Sequence, residues 1–311
     1  RSWDELRERV GSLASALQSL GVAEGDRVVA WLPNAIEVVE TMLASASIGA
    51  IFSSCSPDFG AQGVLDRFSQ ITPKVLVATD SYIYGGKKFD CLERLAVVRK
   101  GLPSLKATLL VSQNAITMSD ELVDYESCLK SGGSTPVAPR RFKFDHPWYV
   151  LYSSGTTGRP KGVMPVVEPQ PIDYDNPLLA ISRKLYGIDQ DTIYLSPAPL
   201  YHAAPLRFNM SVMRLGGTSV IMEHFDAEEF LKLVQKYRAT HTQVVPTMFV
   251  RFLKLPAGVR GKYDVSSLKC AIHAAAPCPV PVKQAMIDWW GPVLFEYYAG
   301  SEGNGMTFIS S

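Results

Sequence analysis

The chain has 311 residues, of which 47% are hydrophobic, enough apolar side chain for a sizeable core and about two domains. Its 31 basic and 30 acidic residues nearly balance, without a long Lys/Arg block, which argues against a nucleic-acid or membrane-surface partner. No apolar run approaches the roughly 20 residues that span a bilayer, and the cysteines never stand in a CxxC spacing. We therefore predict a cytoplasmic protein with reduced thiols that acts on a small molecule.

The chain opens with a predicted helix over residues 1–24. Ser2 and Glu5 form a capping box, and apolar residues recur every three or four positions from Leu6 to Leu20. Short apolar strands then alternate with helical segments, which indicates parallel pairing because a parallel return needs a crossover. The predicted strands are 27–32, 50–52, 75–78, 108–111 and 148–152, and the predicted helices are 35–48, 62–70 and 92–99.

A second series of the same kind follows. We predict strands at 192–195, 219–222, 243–245, 268–272 and 293–298, and helices at 206–215, 228–238, 248–253 and 280–290. The fold class is therefore α/β, with two doubly wound and mostly parallel sheets. We place the first lobe at 26–184 and the second at 185–311, with helix 1–24 packed on the second lobe. The proline-rich segment 164–177 is predicted to be a connection or a flap.

The most distinctive motif lies between the two series. Glycines let the backbone approach an anion, while hydroxyls and a lysine supply hydrogen bonds and charge, so the motif predicts a polyphosphate cradle at a sheet edge. A Walker A loop is excluded because Pro160 and Gly162 stand where it needs a glycine and a hydroxyl. The motif reads Tyr152-Ser153-Ser154-Gly155-Thr156-Thr157-Gly158-Arg159-Pro160-Lys161-Gly162.

Three further motifs follow in order, at 201–205 (Tyr-His-Ala-Ala-Pro), 274–277 (Ala-Ala-Ala-Pro) and 298–303 (Tyr-Ala-Gly-Ser-Glu-Gly). With these motifs the chain resembles the adenylate-forming enzymes, which include acyl-CoA synthetases, luciferases and peptide-synthetase adenylation domains. The resemblance implies that a carboxylic acid attacks the α-phosphate of ATP and that the acyl group passes from acyl-AMP to coenzyme A. ATP, Mg²⁺ and coenzyme A are the implied cofactors.

The resemblance also implies residue roles. Lys161 would hold the β- and γ-phosphates, Ser301 would touch the α-phosphate, and Glu302 would bind Mg²⁺, a task that suits a hard carboxylate ligand. His202 would lie beside the acyl pocket, which Ala203, Ala299 and Gly300 would also line. Tyr298 would stack on the adenine in a slot of Ala275, Ala276 and Pro277. The full nucleotide-binding set is Ser153, Ser154, Gly155, Thr156, Thr157, Gly158, Lys161, Ala275, Ala276, Pro277, Glu296, Tyr297, Tyr298, Ala299, Gly300 and Ser301. The other histidines, His273 among them, have no carboxylate or cysteine at metal spacing and are predicted to be structural or solvated.

The two halves resemble different relatives. Residues 3–89 resemble acetoacetyl-CoA synthetases, and the chain from Tyr194 onward resembles bacterial fatty or aromatic acyl-CoA synthetases. Ala299 stands where short-chain acetyl-CoA synthetases carry a tryptophan that caps the pocket. We therefore expect a roomy pocket and a medium-chain, branched or aromatic acid.

The motifs that follow in the family are not found after Gly305, so we expect a core that lacks the C-terminal domain of the family. Two alternatives to an acyl-CoA synthetase core stay open. One is a catalytically silent nucleotide- or acyl-binding module, and the other is an adenylating enzyme that loads a carrier protein. The motifs predict neither the identity of the acid nor the oligomeric state.

Overall fold

The computed structural model describes residues 1–84, 87–112, 122–133, 140–143, 146–152, 162–163, 174–299 and 306–311. The chain divides into two compact units, Arg1–Ile172 and Asp173–Ser311. The boundary predicted at residues 184 and 185 falls inside the second unit. The helix just before it packs on a neighbour in that unit.

The helices described in the first unit are α1 (Trp3–Ser19), α2 (Ile36–Ser47), α3 (Ala61–Phe68), α4 (Leu92–Lys100) and α5 (Tyr125–Gly132). Its described strands are β1 (Arg27–Trp31), β2 (Ile51–Cys55), β3 (Val75–Thr79), β4 (Ser81–Tyr84), β5 (Lys87–Asp90), β6 (Ala107–Val111), β7 (Leu122–Asp124), β8 (Leu151–Tyr152) and β9 (Gly162–Val163). The main sheet has the order β2-β1-β3-β6-β7, and all of its pairs are parallel. The pairs β4-β5 and β8-β9 are antiparallel.

Helix α1 packs within the first unit, against α2 and α5. The division of the chain assigns α1 to the first unit, whereas the sequence analysis grouped it with the second lobe. The capping box is confirmed, because the Ser2 hydroxyl accepts from the Glu5 N–H at 3.2 Å and the Glu5 carboxylate accepts from the Ser2 N–H at 3.0 Å. The approach to α5 is close enough that a methyl group on Gly132 would overlap the carbonyl oxygen of Ser12.

A buried carboxylate explains why α1 packs where it does. Glu40 of α2 has a fully buried side chain and accepts two hydrogen bonds from the Arg9 guanidinium, at 2.7 and 3.1 Å. The Tyr125 hydroxyl of α5 donates to the same carboxylate at 3.0 Å, and Arg9 also donates to Glu126 at 2.6 Å. Arg9 thus joins three helices, and charge-assisted bidentate pairs of this kind fix geometry as well as adding energy.

Loss of the Glu40 carboxylate is expected to destabilise the first unit. In Glu40→Leu, the Nε–H of Arg9 and the Tyr125 hydroxyl lose their partner in a buried site, which costs about 3 kcal/mol. The shift is measured as the denaturant midpoint of unfolding. The control is Arg7→Ala, which removes an exposed ion pair with Asp4 and is expected to change stability by less than about 0.5 kcal/mol. Equal midpoints for the two variants would contradict the assignment.

The second unit is also an α/β unit with one mostly parallel sheet. Its described helices are α6 (Pro177–Lys184), α7 (Ala203–Arg214), α8 (Ala227–Tyr237), α9 (Pro246–Leu253), α10 (Ala257–Arg260) and α11 (Val280–Trp290). Its described strands are β10 (Ile193–Ser196), β11 (Thr218–Ile221), β12 (His241–Val244), β13 (Cys270–His273), β14 (Leu294–Ala299) and β15 (Met306–Ser310). The sheet order is β11-β10-β12-β13-β14-β15, parallel except for the antiparallel edge strand β15.

Helices cover both faces of the second sheet. One face packs on α8, α9 and α11, where Phe230, Phe249, Phe252 and Trp290 form an aromatic core. The other face packs on α7 through Phe208 and neighbouring apolar residues. The predicted α/β class with two mostly parallel sheets is confirmed. In the part of the chain that the structure describes, no helix combines the length and apolarity of a membrane span.

The thiols of the chain are all free. Cys55, Cys91, Cys128 and Cys270 are buried, and Cys278 is half-buried. Burial raises the pKa of every one of them, for example to about 12 for Cys270.

Candidate functional site

The segment that leads into the predicted phosphate loop is fastened to β2. Phe52 donates its N–H to the Trp148 carbonyl at 2.8 Å and accepts from the Val150 N–H at 2.7 Å. The Ser53 hydroxyl donates to the Val150 carbonyl at 2.9 Å. The strand predicted over 148–152 is therefore shorter in the structure, with a single parallel bridge at Tyr149 followed by β8.

The two ends of the loop motif meet in a hairpin. Leu151 pairs with Val163 and Tyr152 with Gly162, and the Tyr152 hydroxyl donates to the Arg67 carbonyl at 2.7 Å. The two ends of the motif are thus paired with each other, and Tyr152 is bound to the carbonyl of Arg67 on α3. The roles predicted for Ser153, Ser154, Gly155, Thr156, Thr157, Gly158 and Lys161 concern side chains outside the described residues and stay predictions. The same holds for Gly300, Ser301 and Glu302.

Parts of the three later motifs gather at one edge of the second sheet. Because β10, β12, β13 and β14 run parallel, their carboxyl ends lie at the same edge, where α/β folds bind ligands. His202 lies in the segment after β10, and the residues from Ala274 to Pro277 follow β13 directly. Strand β14 ends at Ala299. Motifs far apart in sequence therefore share one edge of this unit.

The turn after β13 has an unusual backbone. Ala275 has φ = +79°, although it is not glycine. A side-chain-bearing residue in this region is strained, and such strain is concentrated at ligand sites. Ala274 is buried while Ala275, Ala276 and Pro277 are exposed, so the turn lifts the predicted adenine slot out of the core.

The two tyrosines of β14 point in opposite directions. Tyr297 packs near Phe208, with ring centroids 6.3 Å apart, and burial raises its pKa. Tyr298 is 82% exposed, so its ring face is open for the predicted stacking on a base. Tyr297 is thus half-buried and packs against the core on the α7 face, which the motif alone did not predict.

Glu296 lies in a polar group that the sequence analysis missed. Its carboxylate accepts from Lys283 of α11 at 2.8 Å and lies 4.0 Å from Nε2 of the fully buried His273. Burial lowers the pKa of His273 and outweighs the opposing effect of Glu296, so the imidazole is neutral near pH 7. His273 and Glu296 are register partners on β13 and β14, a relation that sequence spacing does not reveal.

His202 and Ala203 occupy the start of α7. His202 is the N-cap residue, with its ring centroid 4.3 Å from that of Tyr201, and Ala203 is the first residue of the helix. His202 is exposed, as a residue at the mouth of a pocket must be. Its predicted role beside the acyl group stays a prediction.

The described residues contain no group of three or more His, Cys, Asp or Glu side chains placed to hold a metal ion. The predicted Mg²⁺ ligand, Glu302, lies outside them. Mg²⁺ binding therefore stays a prediction from the motif.

Solved structures with the same fold include two CoA ligases. An acetoacetyl-CoA synthetase from Streptomyces lividans matches with a TM-score of 0.82 at 29% identity, covering 96% of this chain and 47% of that chain. A protein described as a long-chain-fatty-acid CoA ligase from Rhodopseudomonas palustris matches with a TM-score of 0.77, covering 97% of this chain and 70% of that chain. At 21% identity the second match shows the fold alone.

Curated relatives match about half of the chain. An acetoacetyl-CoA synthetase from Gallus gallus is 47% identical over 169 residues, which is 51% of this chain and 25% of that protein. A malonamoyl-CoA synthetase from Penicillium aethiopicum is 34% identical over 177 residues, 52% of this chain and 24% of that protein. The matched part of the chain thus spans about a quarter of the length of these relatives.

The model of the AMP-binding enzyme family matches residues 1–311, the whole chain. This match agrees with the ordered motifs and with the two parallel sheets, and the predicted resemblance to adenylate-forming enzymes is confirmed. The chain belongs to the AMP-binding enzyme family.

Proposed function

We propose that the chain is the adenylating core of an AMP-forming acyl-CoA synthetase. It would use ATP to activate a carboxylic acid as acyl-AMP, with coenzyme A as the acyl acceptor. The family match over the whole chain is the observation that carries the proposal. The names of the relatives support it, since all of those reported above are CoA synthetases or CoA ligases.

The residue roles in this proposal follow from the charge of the reaction. Little covalent chemistry falls to the protein, so its task is to position the acid and to neutralise phosphate charge. Lys161 and the loop hydroxyls would hold the β- and γ-phosphates, and Ser301 the α-phosphate. Glu302 would hold Mg²⁺, which supplies further neutralisation when it is bound. Tyr298 would stack on the adenine above the turn at Ala275.

We further propose that the acid is short and carries a carbonyl group at C3, separated from the carboxylate carbon by one methylene group. The names of the relatives support this, because acetoacetate has a ketone and malonamate a carboxamide at that position. The medium-chain, branched or aromatic acid that we expected from Ala299 and Gly300 finds no support in the names of the curated relatives reported above. It becomes the competing outcome of the substrate test.

Replacement of Lys161 tests the phosphate loop. Lys161→Ala removes a cation from developing phosphate charge, and pyrophosphate release with ATP, Mg²⁺ and a panel of acids is expected to fall at least about 100-fold. The matched control is Lys269→Ala, because Lys269 is exposed and precedes β13, at the opposite end of that strand from the predicted adenine slot. Release that is unaffected by Lys161→Ala would remove the loop from the mechanism.

A panel of acids tests the proposed substrate. Acyl-AMP formation is measured with acetate, acetoacetate, butyrate, octanoate and benzoate. We expect acetoacetate to exceed butyrate by about tenfold in kcat/KM, since one well-made hydrogen bond is worth about that much. An optimum at octanoate or benzoate would support the roomy pocket and contradict the short polar acid.

A further inference from the structure

Polar oxygens without partners lie on the face of the second sheet that packs on α7. Asn209 of α7 and Gln243 of β12 are each 2% exposed. Oδ1 of Asn209 and Oε1 of Gln243 accept no hydrogen bond from the residues that the structure describes. Tyr194 on β10 is 0% exposed, and its hydroxyl is unpaired in the same sense. These oxygens face a layer that is otherwise apolar and aromatic.

Strand register brings the polar groups together. Tyr194 pairs with His241, so Ser196 and Gln243, each two residues further along its strand, point to the same face. Asn209 reaches this face from α7. Its Nδ2 donates to the Ser196 hydroxyl and to the Pro205 carbonyl, both at 2.8 Å. We call Ser196, Asn209 and Gln243 the amide cluster.

The fold alone does not account for the amide cluster. A buried amide oxygen without a donor destabilises a protein, and leucine or methionine would fill the same volume without that cost. The two residues that precede Gln243 on β12, His241 and Thr242, are buried and paired. Thr242 donates to the Leu195 carbonyl at 2.8 Å, and His241 contacts Thr240 and the Tyr186 carbonyl at 2.8 and 2.7 Å. Two unpaired amide oxygens on one face of the sheet are the observation that we assign to a ligand.

The location of the amide cluster suits a ligand. Ser196 is the last residue of β10, and Gln243 is the last but one of β12. Both lie at the carboxyl edge of the sheet, the edge to which His202 and Ala275 belong. Asn209 lies on the helix that begins directly after His202. The cluster is thus connected by one strand end and one helix to the proposed acyl site.

We propose that the amide cluster determines specificity by binding the polar end of the acid, an inference that rests on the proposed function. The oxygens of Asn209 and Gln243 would accept hydrogen bonds. The Ser196 hydroxyl accepts from Asn209, which leaves its own proton to donate to a carbonyl oxygen. Two acceptors and one donor complement a terminal carboxamide fully, a ketone in part and an alkyl end not at all. The expected order of affinity is malonamate, then acetoacetate, then butyrate.

Direct binding of the free acids tests this inference without any need for catalysis. Saturation-transfer NMR is recorded on the 311-residue chain with malonamate, acetoacetate and butyrate, in the absence of ATP. Malonamate is expected to bind at least about tenfold more tightly than butyrate. In Asn209→Leu and in Gln243→Leu that preference is expected to vanish, while butyrate binding rises because the site has become apolar.

Ser182→Ala is the matched control. Ser182 on α6 is also fully buried with an unpaired hydroxyl, but it lies outside the amide cluster, so its loss leaves the ratio of affinities unchanged. Thermal unfolding checks that the leucine variants fold. Gln243→Leu removes an unpaired oxygen, so we expect its unfolding temperature to hold or rise. Asn209→Leu also removes the two hydrogen bonds of Nδ2, so we expect it to unfold at a lower temperature while still folding.

The outcomes separate this inference from the proposed function. Equal affinities of the native chain for the three acids, binding of none of them, or equal losses of all three in Asn209→Leu would overturn the role of the amide cluster. Selective binding by the native chain without pyrophosphate release would overturn the proposed function alone.

Discussion

Parallel strand pairing is the constraint on which both units depend. A parallel strand can be reached only by a crossover, so each sheet must be covered by helices, and the carboxyl ends of its parallel strands must share one edge. In the second unit this brings the segment after β10, the turn after β13 and the end of β14 to one edge. The residues predicted to carry the chemistry of the family therefore lie in or next to short segments at the ends of strands.

Much of the fold follows from hydrophobic pattern. The predicted strands overlap strands of the two main sheets, because many buried parallel strands are apolar runs with clear flanks, but β7 and β15 were not predicted. The segment from Trp148 to Tyr152 has the same composition but forms only a bridge and a two-residue strand. Its hydrogen bonds go instead to β2 and to the far side of the loop. The composition of a segment indicates whether it can form a strand. It does not indicate which neighbouring strand the segment will pair with.

The position of α1 shows a different limit. Its apolar face was readable from the sequence, but the partner of that face was not, because an amphipathic helix can pack on any apolar surface. What selects α2 and α5 is the pairing of Arg9 with Glu40 and the close approach at Gly132. Charge pairs and steric fits between segments distant in sequence have no periodic signature. Helices α5, α6 and α10 also escaped prediction.

The sequence likewise predicted one part of the candidate site and missed another. Ordered motifs identified the family and predicted the segments that carry function, and the structure places the described parts of the last three motifs at one sheet edge. Relations that depend on register were beyond the sequence. His273 faces Glu296 only because β13 and β14 pair as they do, and Gln243 shares a face with Ser196 only because β12 pairs with β10. A histidine or glutamine within a strand has no signal in the sequence that separates a core residue from a functional one.

The burial of the cysteines has a practical consequence for spectroscopy. Four thiols are enclosed in the two cores, and Cys278 alone among the five is half-buried, one residue after Pro277. Thiol reagents act on accessible thiolates, so a maleimide dye has a single favoured point of attachment in the folded chain. Since its pKa is raised, the labelling calls for mildly alkaline buffer. A fluorophore at this site would sit beside the strained turn at Ala275 and would respond to whatever occupies it.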